Sequence, residues 1–152
     1  MNFKNKSRGF TLIEMLIVIT IIALLASLIL VGMGGARAKT RDSRRIADLH
    51  NVMNALELYY AKNSYYPQNI NTWGDLDTEL TGAGIGVSRI PYDPLRSTEK
   101  TYEYGVEPVD YQDYVLGALL EQDDAVLQDD IDGVPYGLSC DDAPDYNYCI
   151  RP

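Results

Sequence analysis

The sequence predicts an α+β fold in which one long N-terminal α-helix packs on a small antiparallel β-sheet, and three observations carry that prediction. From Met15 to Val31 there are seventeen residues without a charge, interrupted only by Thr20 and Ser27. Phe10 to Val31 as a helix would be about 33 Å long at ~1.5 Å per residue, the hydrocarbon thickness of a bilayer. Ile46, Leu49, Met53, Leu56 and Tyr60 are then spaced 3, 4, 3 and 4, one apolar stripe on a helix that runs to about Asn63. Finally, Thr101–Val106 alternates and Tyr111–Leu120 reads as a second strand, with a turn around Glu107-Pro108-Val109-Asp110 between them.

The N-terminal element opens on a basic leader, Lys4, Lys6 and Arg8, that ends in Gly9 and is followed at once by Phe10-Thr11-Leu12-Ile13-Glu14. An ordinary secretory signal places its small-residue cleavage site after the apolar core, whereas this glycine lies before it. The arrangement resembles the class III signal of type IV prepilins and type II secretion pseudopilins. That resemblance implies cutting by a membrane peptidase after Gly9, N-methylation of Phe10, and a helix that stays on the mature protein. It also assigns Glu14 as the family's glutamate at the fifth mature position. A charged side chain at central membrane depth costs roughly 2.5–3.5 kcal/mol on insertion scales, so Glu14 needs a partner. In the family that partner is the α-amino group of the neighbouring subunit.

Three segments follow: a leader over 1–9, a transmembrane and polymerisation helix over 10–35, and a globular domain over 36–152 outside the cytoplasm. The net charge of −9 conceals an asymmetry. Residues 1–45 carry eight Lys/Arg against two acids, which leaves five against twenty beyond. So acidic a distal part excludes a nucleic-acid binder driven by phosphate neutralisation. The leader cations orient the N-terminus toward the cytoplasm. The second basic cluster, Arg37, Lys39, Arg41, Arg44 and Arg45, reads as a solvated helix face or as a partner for acidic neighbours or anionic headgroups.

Gly32-Met33-Gly34-Gly35 would weaken a long helix by about 1 kcal/mol per glycine, so a hinge or melted stretch is expected there. His50, beside Leu49, reads as a surface or boundary residue. Asn63-Ser64 ends the helix, and Tyr65-Tyr66-Pro67 leaves it extended. Trp73–Leu80 makes a short helix with Thr72 as N-cap and Leu76 and Leu80 inward. Ile90-Pro91-Tyr92-Asp93-Pro94 and Tyr102-Glu103-Tyr104 resemble elements that precede and open the sheet of major pseudopilins. A third strand is expected over Tyr146–Ile150, and one helix stripe over three or four strands is a sufficient core for ~100 residues.

Cys140 and Cys149 are the only cysteines, flanking a polar loop near the C-terminus. Export to an oxidising compartment favours a disulfide over a two-cysteine metal site, the single histidine being far away in sequence. Closing so short a loop contributes roughly 2.5–3 kcal/mol in the chain-entropy model and is expected to pin a frayed C-terminus. A disulfide-closed C-terminal loop is also a feature of many type IV pilins.

No arrangement of nucleophile, base or phosphate loop points to an enzyme. The acidic segment from Glu121 to Gly133 is the one candidate for ligand chemistry. Calcium takes six to eight oxygen ligands from flexible loops, and Asp129, Asp130 and Asp132 are the candidate ligands. Major pseudopilins bind calcium in a loop of this domain, which supports that assignment. The reading is a structural subunit of a type IV pilus-like or type II secretion filament, held in the inner membrane and then released into an extracellular or periplasmic filament. Its implied partners are identical subunits, prepilin peptidase, the inner-membrane assembly platform and, before assembly, membrane lipids. The alternatives are a major secretion pseudopilin with a calcium-binding loop and a monomeric membrane-anchored binding domain.

Overall fold

The computed structural model describes residues 9–95 and 102–152, and of residues 29–33 the backbone alone. Lys4, Lys6 and Arg8 of the leader, the side chains at the distal end of the apolar run, and Thr101 at the expected start of the first strand lie outside the described residues. The element order is α1 (Leu12–Asn63), α2 (Trp73–Gly82), β1 (Glu103–Val106), β2 (Tyr114–Leu119), a short 3₁₀ helix over Ala125–Gln128, another over Pro135–Gly137, and β3 (Asn147–Ile150). The chain divides into two compact units, with the boundary after Arg37.

In the first unit every described residue of α1 from Leu12 to Leu28 is exposed. Leu12, Ile13, Leu24 and Leu28 each expose well over half of their surface. The hydroxyls of Thr20 and Ser27 donate back to the carbonyls of Leu16 and Leu24, both at 2.7 Å, so these two polar groups are satisfied without a neighbour. Among the described residues no helix is long and apolar enough to cross a membrane. The backbone stays helical through Gly32–Gly35, in place of the expected hinge. Glycine raises the free energy of a helical residue by only about 1 kcal/mol, which weakens a long helix without breaking it.

In the second unit all five residues of the expected stripe meet the core, and Val52 and Tyr59 join them. Leu49, Val52, Leu56 and Tyr59 are the centre of the buried face of α1, while Ile46, Met53 and Tyr60 pack along its flank. The same face continues toward the N-terminus through Ala38, Asp42 and Arg45, all buried. A search for apolar residues stops at Ile46 because the next two positions on the face are charged. His50 is exposed, its Nδ1 2.8 Å from the carbonyl of Ile46.

Arg45 is fully buried and sits among three carboxylates. Its Nε reaches Asp93 at 2.6 Å, and its Nη1 reaches Asp42 and Glu121, each at 2.7 Å. Arg41 adds a two-pronged contact to Glu121, with Nε to Oε1 at 2.7 Å and Nη2 to Oε2. Asp42 in turn accepts from the backbone N–H groups of Glu121 (2.9 Å) and Gln122 (3.2 Å). The basic cluster is therefore not simply a solvated face: Arg41 and Arg45 are turned inward on their own chain. Burial opposes the charge of Arg45, but the bonds to Asp93, Glu121 and Asp42 outweigh it and hold the guanidinium protonated.

The sheet is antiparallel in the order β1-β2-β3, with Tyr104 opposite Leu116 and Leu116 opposite Ile150. Tyr114, Leu116 and Ala118 of β2 face the main core with Tyr148, Tyr102, Trp73 and the α1 face. Thr72 caps α2 as expected, and Asp75 completes a capping box. The opposite face of the sheet is also covered. Val115, Leu138, Cys140 and Cys149 form a second buried cluster, with Ile131 and Tyr136 against it. Leu138 lies over Gly105 and Gly117, and a Cβ at Gly105 would fall 2.7 Å from Leu138 Cδ1 and 3.0 Å from the carbonyl oxygen of Tyr136.

Three outcomes follow from this packing. Gly105→Ala should destabilise the chain by about 1–3 kcal/mol in denaturant melts, because the methyl meets a backbone oxygen that cannot rotate away. A loss below about 0.5 kcal/mol would mean that the Leu138 segment is not seated on the sheet. Arg45→Met should cost about 3–5 kcal/mol by leaving buried carboxylates without their cation. The bonds from Arg41 hold the Glu121 carboxyl down at about 2, below its ordinary value of 4.5. Its stabilisation is present above 4.5 and is lost as pH falls through about 2, so the deficit of Glu121→Gln should shrink across that window.

Candidate functional site

The first candidate site is the start of α1. Gly9 and Phe10 are exposed, Phe10 to 75 %, and nothing lies within 4 Å of the position a Cβ on Gly9 would take. The peptide between them is thus accessible. Thr11 and Glu14 form a reciprocal cap. Glu14 Oε2 accepts from the Thr11 N–H and from the Thr11 hydroxyl, each at 2.7 Å, and Thr11 Oγ1 accepts from the Glu14 N–H at 3.3 Å. Reading the sequence for its apolar run passes over the capping role of Thr11. The Thr-x-x-Glu spacing ahead of that run is its signal.

The second candidate site is built by the Cys140–Cys149 loop, and the carboxylates that meet there are not the three expected from the sequence. The carboxylates of Asp130, Asp132 and Asp142 come together, with one oxygen from each lying within 4.8 Å of the others. Asp129 is not in this group. It lines a groove of about 290 Å³ that also includes Asp130, His50 and Arg151. Asp142 escapes a reading of the acidic segment because it lies beyond Cys140, ten residues past Asp132, and only closure of the loop returns it there.

Cys140 and Cys149 are joined and fully buried. Their backbones also hold the acidic segment. Asp130 Oδ2 accepts from the Cys149 N–H at 2.8 Å, Ile131 N–H donates to the Cys149 carbonyl at 3.4 Å, and Cys140 N–H donates to the Gly133 carbonyl at 2.8 Å. Asp141 accepts from the Gly133 N–H at 3.1 Å. The bridge thus covers the outer face of the sheet, where the sequence suggested only a tether for a frayed C-terminus.

Asp130 Oδ1 and Asp142 Oδ1 are both buried without a hydrogen-bond partner. Burial raises Asp130 to about 6, against the pull of the Cys149 N–H, and the charges of Asp142 and Asp132 push the same way. Asp142 is raised by burial and then by Asp132, Asp123 and Asp141. Two orphaned oxygens in an all-oxygen donor set match the preferences of a hard divalent cation.

A group raised in the fold stabilises fully below its ordinary pKa and loses that contribution as pH rises through the folded value. For Asp130 the window runs from 3.8 to about 6. In cation-free buffer, Asp130→Asn should therefore gain on the wild type in melting temperature as pH rises across that window. A wild type that gained on the variant over the same range would show that the carboxylate is well accommodated when charged.

Known proteins resemble this chain at its N-terminal motif and over longer stretches. The family model described as "Prokaryotic N-terminal methylation motif" matches residues 4–30. "Type II secretion system core protein G" of Aeromonas hydrophila is 31 % identical over 99 residues, covering 60 % of this chain and 69 % of that protein. Its namesake in Escherichia coli K12 is 39 % identical over 67 residues, so the matched stretch spans 44 % of this chain and only 46 % of that relative. "Type IV wide pilus major component PilA4" of Thermus thermophilus is 35 % identical over 84 residues, 55 % of this chain and 64 % of that protein. No solved structure matches the chain. With its methylation motif at the head of a long helix and an α+β unit behind it, the chain belongs to the family of type IV pilins and type II secretion pseudopilins.

Proposed function

We propose that the chain is a structural, non-enzymatic subunit of a type IV pilus-like or type II secretion filament, cut between Gly9 and Phe10 by prepilin peptidase and assembled through the start of α1. One observation carries this reading. The described part of the apolar run exposes its side chains all round, with Glu14 as its only charge. Water solvates such a surface poorly, so lipid must cover it before assembly and the helices of identical subunits afterwards. The subunit is held in the inner membrane with its N-terminus cytoplasmic, and an assembly platform there extracts it. Glu14 sets the register by meeting the α-amino group of a neighbouring Phe10. The relatives carry both secretion and pilus names, and the reading covers both.

Intact mass of the mature protein should show loss of nine residues and gain of one methyl group. Retention of the leader, or a new N-terminus beyond residue 25, would end this reading. Glu14→Ala should abolish filaments while leaving the melting of the second unit unchanged, because Glu14 makes no part of its core. Normal filament yield would remove the register role.

A calcium ion is the second element of the proposal, favoured by the orphaned oxygens of Asp130 and Asp142. Asp130, Asp132 and Asp142 would hold it, and its charge would offset the repulsion among them. Calcium should raise the melting temperature more than magnesium or sodium chloride at matched ionic strength. Asp130→Asn or Asp142→Asn should abolish the rise and Asp129→Asn should spare it. Equal responses to all three salts would dismiss calcium.

A further inference from the structure

We propose that the Asp130–Asp132–Asp142 site and the Cys140–Cys149 disulfide form one thermodynamic unit, so that a bound divalent cation holds the bridge oxidised and the oxidised bridge holds the cation. The inference rests on the calcium reading of these carboxylates and adds a redox dependence to it.

The connections are short and run through the backbone. Asp130 receives the N–H of Cys149 itself, at 2.8 Å. Asp142 is two residues from Cys140, and the segment carrying Asp132 is tied to Cys140 through the 2.8 Å bond from Cys140 N–H to Gly133 O. Asp142 thus approaches from the Cys140 end of the loop, while Asp130 is fastened to the Cys149 end. The bridge holds these two ends together alongside the bonds of Gly133 to Cys140 and Asp141, and the two orphaned buried oxygens, Asp130 Oδ1 and Asp142 Oδ1, belong one to each end. With the bridge open, repulsion among the three carboxylates drives Asp142 away from the 130–132 segment. A cation reverses the sign of that interaction and restores the spacing in which the two sulfur atoms meet.

Closing the bridge joins the two Sγ atoms and passes two electrons and two protons to a small-molecule disulfide, which leaves as two thiols. Cation binding and this exchange share one set of coordinates, so their coupling is reciprocal. The factor by which oxidation tightens the cation equals the factor by which the cation favours oxidation. Coupling between linked sites is typically about 5–150-fold, and tenfold corresponds to about 30 mV for a two-electron couple.

The test uses the full mature chain in detergent micelles. The fraction of Cys140–Cys149 disulfide is measured by thiol alkylation and mass spectrometry in glutathione buffers of graded ratio, with calcium chloride, magnesium chloride or sodium chloride at matched ionic strength. Calcium titrations are run in parallel on the oxidised and reduced chains. Calcium should shift the equilibrium toward the disulfide by about tenfold and bind the oxidised chain tighter by the same factor. Asp142→Asn should lose the shift yet still form the bridge in calcium-free buffer, and Asp129→Asn should keep it. Equal calcium affinity of the oxidised and reduced chains with an unmoved equilibrium would overturn the coupling while leaving the calcium site standing. Absence of calcium binding to the oxidised chain would remove the site and the coupling together.

Discussion

The buried guanidinium of Arg45 is the constraint on which the second unit depends. One side chain on α1 meets Asp42 on its own helix, Asp93 in the loop that precedes the sheet, and Glu121 just after β2. Three stretches far apart in sequence are thereby fixed at one point. The bare ion pairs are weak grounds for stability, since desolvating them offsets much of their attraction. What they supply is specificity. Asp42 also accepts the N–H groups of Glu121 and Gln122, so the end of β2 has one register against α1 in which every charge is answered. A slip of the strand would bury a cation beside the wrong groups, at a far larger cost than a misplaced leucine.

Below that hub the strand β2 is apolar on both faces, an arrangement that suits a sheet covered on both sides. Tyr114, Leu116 and Ala118 turn to α1, and Val115 turns to the segment around Leu138 and the disulfide. Gly105 and Gly117 on the outer face leave the space that Leu138 fills. The disulfide loop is accordingly part of the fold's second layer, and the same loop closes the carboxylate site. Packing and the carboxylate cluster share one support there, which is why Asp142 joins Asp130 and Asp132 from beyond Cys140.

Legibility in the sequence follows the range of the interaction that decides each feature. The Thr72 cap of α2, the end of α1 near Asn63 and the three strands are readable because local chemistry or short runs of strand-forming residues mark them. The apolar start of α1 is readable from composition alone. Asp42 and Arg45 are not, since their burial depends on partners reached only after folding, 48 to 80 residues away. The apolar stripe therefore finds Leu49 and Leu56 at the centre of the inward face but not its continuation through Asp42 and Arg45. Asp142 is hidden for a similar reason: three acids close together in sequence look like a candidate set, and only loop closure brings Asp142 beside Asp130 and Asp132. Gly105 does carry a signal, because glycine inside a strand marks close approach of another segment.

The cap at the start of α1 bears on how Glu14 can act under the proposed reading. In the isolated chain its Oε2 already accepts two hydrogen bonds from Thr11. A neighbouring subunit's amino group therefore meets a carboxylate that is oriented and partly satisfied, and the net gain is only the difference between the two environments. Binding strength between stems must come chiefly from the apolar side chains, which are many and nondirectional. A single directional charge among them does what they cannot, because sliding one helix past another by a turn changes their contact area little but separates the ion pair by ~5.4 Å. In a medium of low dielectric that separation is heavily penalised. Under the proposed reading Glu14 is thus suited to choosing the position at which subunits stop, while the exposed apolar surface of the stem would supply the force that brings them together.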